Sequence, residues 1–150
     1  MSSVFFDYKL EHNVIFEVTA IKDYDIYNLK KNFMGTIYIN HPERRIVLET
    51  GILDYIHQFD SMFSYIDKGN NETFTVSCDF YSNSLDYFYN EDTNELIISE
   101  SNIGLFKISC NYSDFKQSYK KFRKTTLGKL ILLFPQLKEN TTFKKYFINY

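Results

Sequence analysis

The stretch from Thr50 to Asp67 constrains the fold of this chain most. Ile52, Ile56, Phe59, Phe63 and Ile66 step by four, three, four and three residues, the spacing of one helix face. Leu53 and Met62 widen that stripe. Thr50 is placed to cap the helix N-terminus through its hydroxyl, and Gly69 to leave its C-terminus in the left-handed conformation. On both sides of this helix the period changes to two. Before it, Val4–Leu10, Val14–Ile21 and the pair Phe33–Asn40 and Arg44–Glu49 read as strands, the last two as a hairpin turning at "HPER". Lys22–Asn32 is polar and reads as a loop with at most one helical turn. After the helix, Glu72–Phe80, Leu85–Asn90, Leu96–Glu100 and Ile103–Cys110 form four further strands joined by short turns, a meander.

A second helix follows, capped by Ser113 or Asp114. Phe115, Tyr119 and Phe122 make its apolar stripe, and Lys116, Lys120, Lys121, Arg123 and Lys124 cover the rest. Gly128 is a point for a break or kink, and Pro135 ends the helix. The order predicts one α+β domain over residues 1–150. It is a curved, mainly antiparallel sheet of roughly six to eight strands, packed by the amphipathic helix at 50–67 and by C-terminal helices. A chain of 150 residues and 18.0 kDa is long enough for a full core.

Charge divides the chain. Residues 1–113 hold 8 of the 17 basic residues and 17 of the 19 acidic ones, while residues 114–150 hold the other 9 and 2. No Lys or Arg occurs between Lys68 and Lys107, an interval with seven acids. Within it lies "SLDYFYNEDTNELIISE", where Leu85, Tyr87 and Tyr89 share one strand face and Asp86, Phe88 and Asn90 the other. A field of one sign draws a partner of the other, and tyrosines favour interface centres. The candidate partner-binding residues are therefore Asp79, Tyr81, Asp86, Tyr87, Tyr89, Glu91, Asp92 and Glu95, with the turn Glu91–Asn94 at their centre. Such a surface suits a basic protein and repels nucleic acid and anionic membranes.

Motifs for catalysis are missing from the sequence. His12, His41 and His57 stand in no metal-binding pattern, no Gly-rich phosphate loop occurs, and no Ser or Cys sits in a nucleophile elbow. We expect no enzyme, no metal and no cofactor. Cys78 and Cys110 read as free core thiols. No apolar run is long enough to cross a bilayer and the start lacks a leader pattern, so a cytoplasmic location is expected.

Taken together, the hairpin "FMGTIYINHPERRIVLE", the helix "TGILDYIHQFDSMFSYID" and the meander ending "GLFKISCNYSDFKQSYKKF" resemble the small immunity proteins of bacterial contact-dependent growth inhibition and related polymorphic toxin systems. The resemblance implies a protein that binds one cognate toxin domain, a nuclease in many such systems, and blocks its active site or substrate groove with the acidic, Tyr-rich face. It carries over no catalytic residue. Alternatives are an acidic nucleic-acid mimic acting on a defence enzyme, and a small-ligand module with a pocket between the sheet and the 50–67 helix near Phe59 and Phe63. A third is an enzyme whose site forms only on folding.

Overall fold

A computed structural model describes residues 5–11, 18–77, 84–100 and 106–148. Among the described residues seven strands lie in two antiparallel sheets with the helices around and between them. The first sheet has the order β1-β2-β3, formed by β1 (Phe5–Leu10), β2 (Met34–His41) and β3 (Arg44–Gly51). The second is the meander β4-β5-β6-β7, formed by β4 (Phe74–Val76), β5 (Leu85–Asn90), β6 (Glu95–Glu100) and β7 (Lys107–Asn111). The α+β class and the antiparallel pairing agree with the sequence reading. The single curved sheet does not.

The central helix is the reason for two sheets. In α2 (Ile52–Asp67) the buried residues include Leu53, Tyr55 and Met62 as well as the Ile52–Ile56–Phe59–Phe63–Ile66 stripe. A helix apolar on more than one side must be covered on more than one side. It packs against β2 and β3 on one flank, β4 on another, and α1 (Ile26–Asn32) on a third. Each large apolar side chain it buries contributes about 1.5–3 kcal/mol.

The strand β3 runs straight into α2. Gly51, and not Thr50, is the residue before the first helical turn, and with no side chain it supplies no side-chain cap. It is glycine because α1 passes close by: a Cβ there would collide with the Lys30 carbonyl oxygen. At the other end Gly69 has φ 91°, the left-handed exit that the sequence predicts. Gln58 reaches from α2 to Ser77, taking its N–H at 2.9 Å and donating to its carbonyl at 2.6 Å, so the helix holds the end of β4 as a strand would.

Between β1 and β2 the chain is more helical than its polarity suggests. A 3-10 helix spans Val18–Asp23, so the end of the expected strand Val14–Ile21 is helical, and its first part lies outside the described residues. Helix α1 follows because Asp25 caps it, its carboxylate accepting from Asn28 N at 2.8 Å.

The long C-terminal helix α3 (Tyr112–Leu133) is continuous through Gly128, without the expected break. Its cap is Asn111, whose Oδ1 accepts from Asp114 N at 3.0 Å, in place of Ser113 or Asp114. Pro135 ends it, as expected, and opens a 3-10 turn, Pro135–Glu139. The short α4 (Thr141–Phe143) and a wider turn, Lys144–Ile148, return to the core through Phe143 and Phe147. The buried Asn140 anchors this return, donating to the Ile21 and Tyr24 carbonyls at 2.8 and 2.9 Å and capping Phe143 N at 2.7 Å.

An aromatic cluster joins the layers. Phe6 of β1 packs its ring edge-on or tilted against Phe59, Phe115, Tyr119 and Phe122, with centroids 5.1–5.7 Å apart. The β2–β3 turn ties the sheets together: His41 Nε2 donates to the Ser109 carbonyl at 2.8 Å and Arg44 stacks 4.2 Å from the Phe106 ring centre.

Candidate functional site

The acidic turn lies where β5 passes into β6. Asn94 has φ 54°, a conformation that asparagine tolerates better than most side chains. Its side chain and its carbonyl are both engaged. Tyr89 Oη donates to Asn94 Oδ1 at 3.0 Å, Asn94 Nδ2 donates to Ser113 Oγ at 3.1 Å, and the Asn94 carbonyl accepts from Tyr112 N at 2.9 Å. Asn90 Oδ1 accepts from Asp92 N at 3.1 Å inside the turn. The turn is therefore fastened to the start of α3, and it holds Glu91 and Asp92 out in solvent. Glu95, half-buried, stands opposite Asn90 and Asn111.

The other candidates divide. Asp86 is on the outer face of β5 and accepts from Thr75 Oγ1 at 2.6 Å. Tyr87 is a correction: only 1% exposed, it packs edge-on to Phe59 with centroids 5.8 Å apart, and its hydroxyl has no hydrogen-bond partner among the described residues. Burial pushes its phenol well above the ordinary value. Tyr89 is half-buried on the same inward face, its ring 4.6 Å from that of Tyr112. Asp79 and Tyr81 lie outside the described residues. Leu85 carried the deciding signal: an aliphatic residue that shares a face with Tyr87 and Tyr89 marks that face as the core. The outward aromatic is Phe88, 38% exposed and paired across the strands with Ile97.

A second site escaped the sequence reading. Helices α2 and α3 run antiparallel, linked by two ion pairs seven residues apart on each helix. At one rung Lys116 bonds to Asp67 Oδ2, and Asp67 Oδ1 accepts from the Tyr112 hydroxyl at 2.9 Å. At the other, Asp60 is only 4% exposed. It accepts from Arg123 Nε at 3.0 Å and from the Tyr119 hydroxyl at 2.7 Å, and lies 3.0 Å from a second Arg123 nitrogen. Burial raises the Asp60 carboxyl above its ordinary pKa against the pull of Arg123 and Tyr119, and pushes the Tyr119 phenol well above its own.

Between the rungs and beyond them lies an open groove of about 720 Å³, the size of a small-molecule site. Its floor is Phe63, Tyr119, Leu127, Ile131 and Phe147, and its rim is rich in lysine. Phe59, expected to line a pocket between sheet and helix, is fully buried, and Phe63 packs on Phe115 and Tyr119 of α3 and lines this groove. The groove residues were visible in sequence as a second stripe on α3, Lys116, Lys120, Lys124, Leu127 and Ile131, beside the core stripe. Tyr119 and Phe122, at 2% and 4% exposure, are core, as their stripe on the helix predicts. The remaining chemistry-bearing residues are spread apart. His57 packs edge-on to Tyr146 with centroids 5.4 Å apart, and burial, then the Lys30 charge, lowers its pKa. Cys110 is buried with its thiol pushed up to about 12, and Cys78 lies outside the described residues. Among the described residues no group of His, Cys, Asp and Glu could hold a metal, and no helix is long and apolar enough to cross a membrane.

No protein-family model, no curated protein and no solved structure matches this chain.

Proposed function

We propose that the protein acts by binding, docking a basic protein domain against the β5–β6 end of its second sheet and silencing it. The observation that carries this reading is the fastened acidic turn. Glu91 and Asp92 project from a backbone held by four hydrogen bonds through Asn90, Asn94 and their neighbours. Charges held in place need no ordering when a partner arrives, so less of the attraction is lost to entropy. Asp86, Glu95 and the exposed ring of Phe88 extend the surface, and Tyr89 supports it from within. The immunity-protein resemblance supplies the partner's class: a toxin domain, most simply a nuclease, whose cationic substrate groove the carboxylates occupy in place of phosphates. On that reading it works in the cytoplasm of the cell that makes the toxin.

The test is affinity capture of a partner from the source cells with the wild-type chain and with the combined variant Glu91→Lys, Asp92→Lys and Glu95→Lys. These side chains lie outside the core, so the variant keeps its fold by circular dichroism. The expected result is a basic protein retained by the wild type and lost by the variant. Equal retention by both removes the turn from the interface and the proposal with it.

A further inference from the structure

We propose that the groove between α2 and α3 is a binding site for a single-chain anionic amphiphile, a monomeric fatty carboxylate. The groove is graded along its length. From Lys116 to Ile131 the lining of α3 passes from cationic to apolar over fifteen residues, about 22 Å of helix. Along the cationic half Lys116 is engaged by Asp67 at the end and Arg123 by Asp60 near the middle. Lys68, Lys120 and Lys124 are exposed and form no ion pair among the described residues, which leaves three cations for an incoming headgroup. At the other end Leu127, Ile131, Phe147 and the half-exposed Ile148 offer only hydrocarbon. A neutral hydrocarbon would leave the cations unused and a polyanion would leave the apolar floor wet. A carboxylate head on one alkyl chain matches both ends in the order in which the groove presents them.

Gly128 is an independent observation for the same site. It lies in the middle of a helix, where glycine costs about 1 kcal/mol relative to alanine. Packing does not require it, because a side chain begun there would meet no atom within 4 Å. Gly128 also lines the groove, so its missing side chain keeps the passage from the lysines to the apolar end clear.

The test is calorimetric titration of the full chain with dodecanoate, using dodecanol and dodecyltrimethylammonium as controls. The expected result is saturable one-to-one binding of dodecanoate that weakens roughly tenfold when two methylenes are removed. Both controls should bind at least tenfold more weakly. Lys120→Glu combined with Lys124→Glu should weaken dodecanoate at least tenfold. Gly128→Leu, which fills the passage without touching the core, should abolish binding while the thermal midpoint stays the same or rises. Equal affinity for the three head groups, an unchanged dissociation constant in Gly128→Leu, or no saturable binding each overturns the proposal. Association with phosphatidylglycerol vesicles in place of monomeric dodecanoate also overturns it, assigning the stripe to a bilayer surface.

Discussion

The acidic turn and the helical groove use similar residue types in opposite ways. At the turn, acids stand in water on a backbone fixed by neutral hydrogen bonds, and Tyr89 braces them from behind. In the groove, the acids Asp60 and Asp67 are spent on fastening two helices, Asp60 inside the core, and the cations outnumber them at the rim. The charge that holds the fold most firmly is the buried, partnered Asp60, whereas a charge that greets a partner must be exposed and rigid. The difference makes substitutions in the two regions separable: Asp60 reports on stability and the turn acids on association.

The largest effect should come from Asp60→Ala. It leaves Arg123 without its buried partner and the Tyr119 hydroxyl without its best acceptor, and should cost about 3–5 kcal/mol in denaturant unfolding. A loss below about 1 kcal/mol would mean that the groove's charges resemble those of the turn. Next is Asn94→Gly, which keeps the left-handed backbone and removes two side-chain hydrogen bonds. It should cost about 1–2 kcal/mol and slow partner association by loosening Glu91 and Asp92. Unchanged association would show that the turn's rigidity is irrelevant to its role.

A pH titration sharpens the comparison further. Because His57 has a lowered folded pKa, its contribution is complete above the ordinary histidine value and is lost as pH falls through the folded one. Stability should therefore decline as pH falls below the ordinary histidine value, and His57→Gln should flatten that decline. Asp60 has the opposite sign in a lower window. Its raised folded pKa favours the fold below the ordinary carboxylate range, a contribution lost as pH rises through the folded value. A decline that persists in His57→Gln would place the sensitive group elsewhere. The smallest effect is a gain. Gly128→Ala should stabilise by at most about 1 kcal/mol in thermal unfolding, since its methyl meets open space. A loss would mean that the helix there is held in a way glycine alone permits.

Much of the fold was legible because local patterns matched the tertiary result. The α2 stripe, the β2–β3 hairpin and β5 over Leu85–Asn90 were read almost to the residue. Periodicity cannot say how many layers surround a helix, and Leu53, Tyr55 and Met62 were the hint that α2 needs cover on several sides and divides the strands into two sheets. Caps were misplaced by one to three residues: Gly51 answers to the approach of Lys30, a non-local fact, while Asn111 caps α3 through a local bond from Asp114 N that competed with two neighbouring candidates. At the candidate site the charges were legible and the face was not. Asp86, Glu91, Asp92 and Glu95 reach the surface, while Tyr87 was drawn inward by the register that Leu85 sets. The groove required two helices distant in sequence to meet, and the pairing of Asp60 with Arg123 is evident only once they do.

The central claim is that the β5–β6 turn docks a basic protein by its field. Its most direct measurement is the association rate of the captured partner with the wild type at low and high salt, set against the Glu91→Lys, Asp92→Lys, Glu95→Lys variant. The account predicts a wild-type rate at least about tenfold faster at low salt, and a variant rate that is slow and no longer falls as salt is added. Rates that are equal for both proteins and indifferent to salt would contradict it.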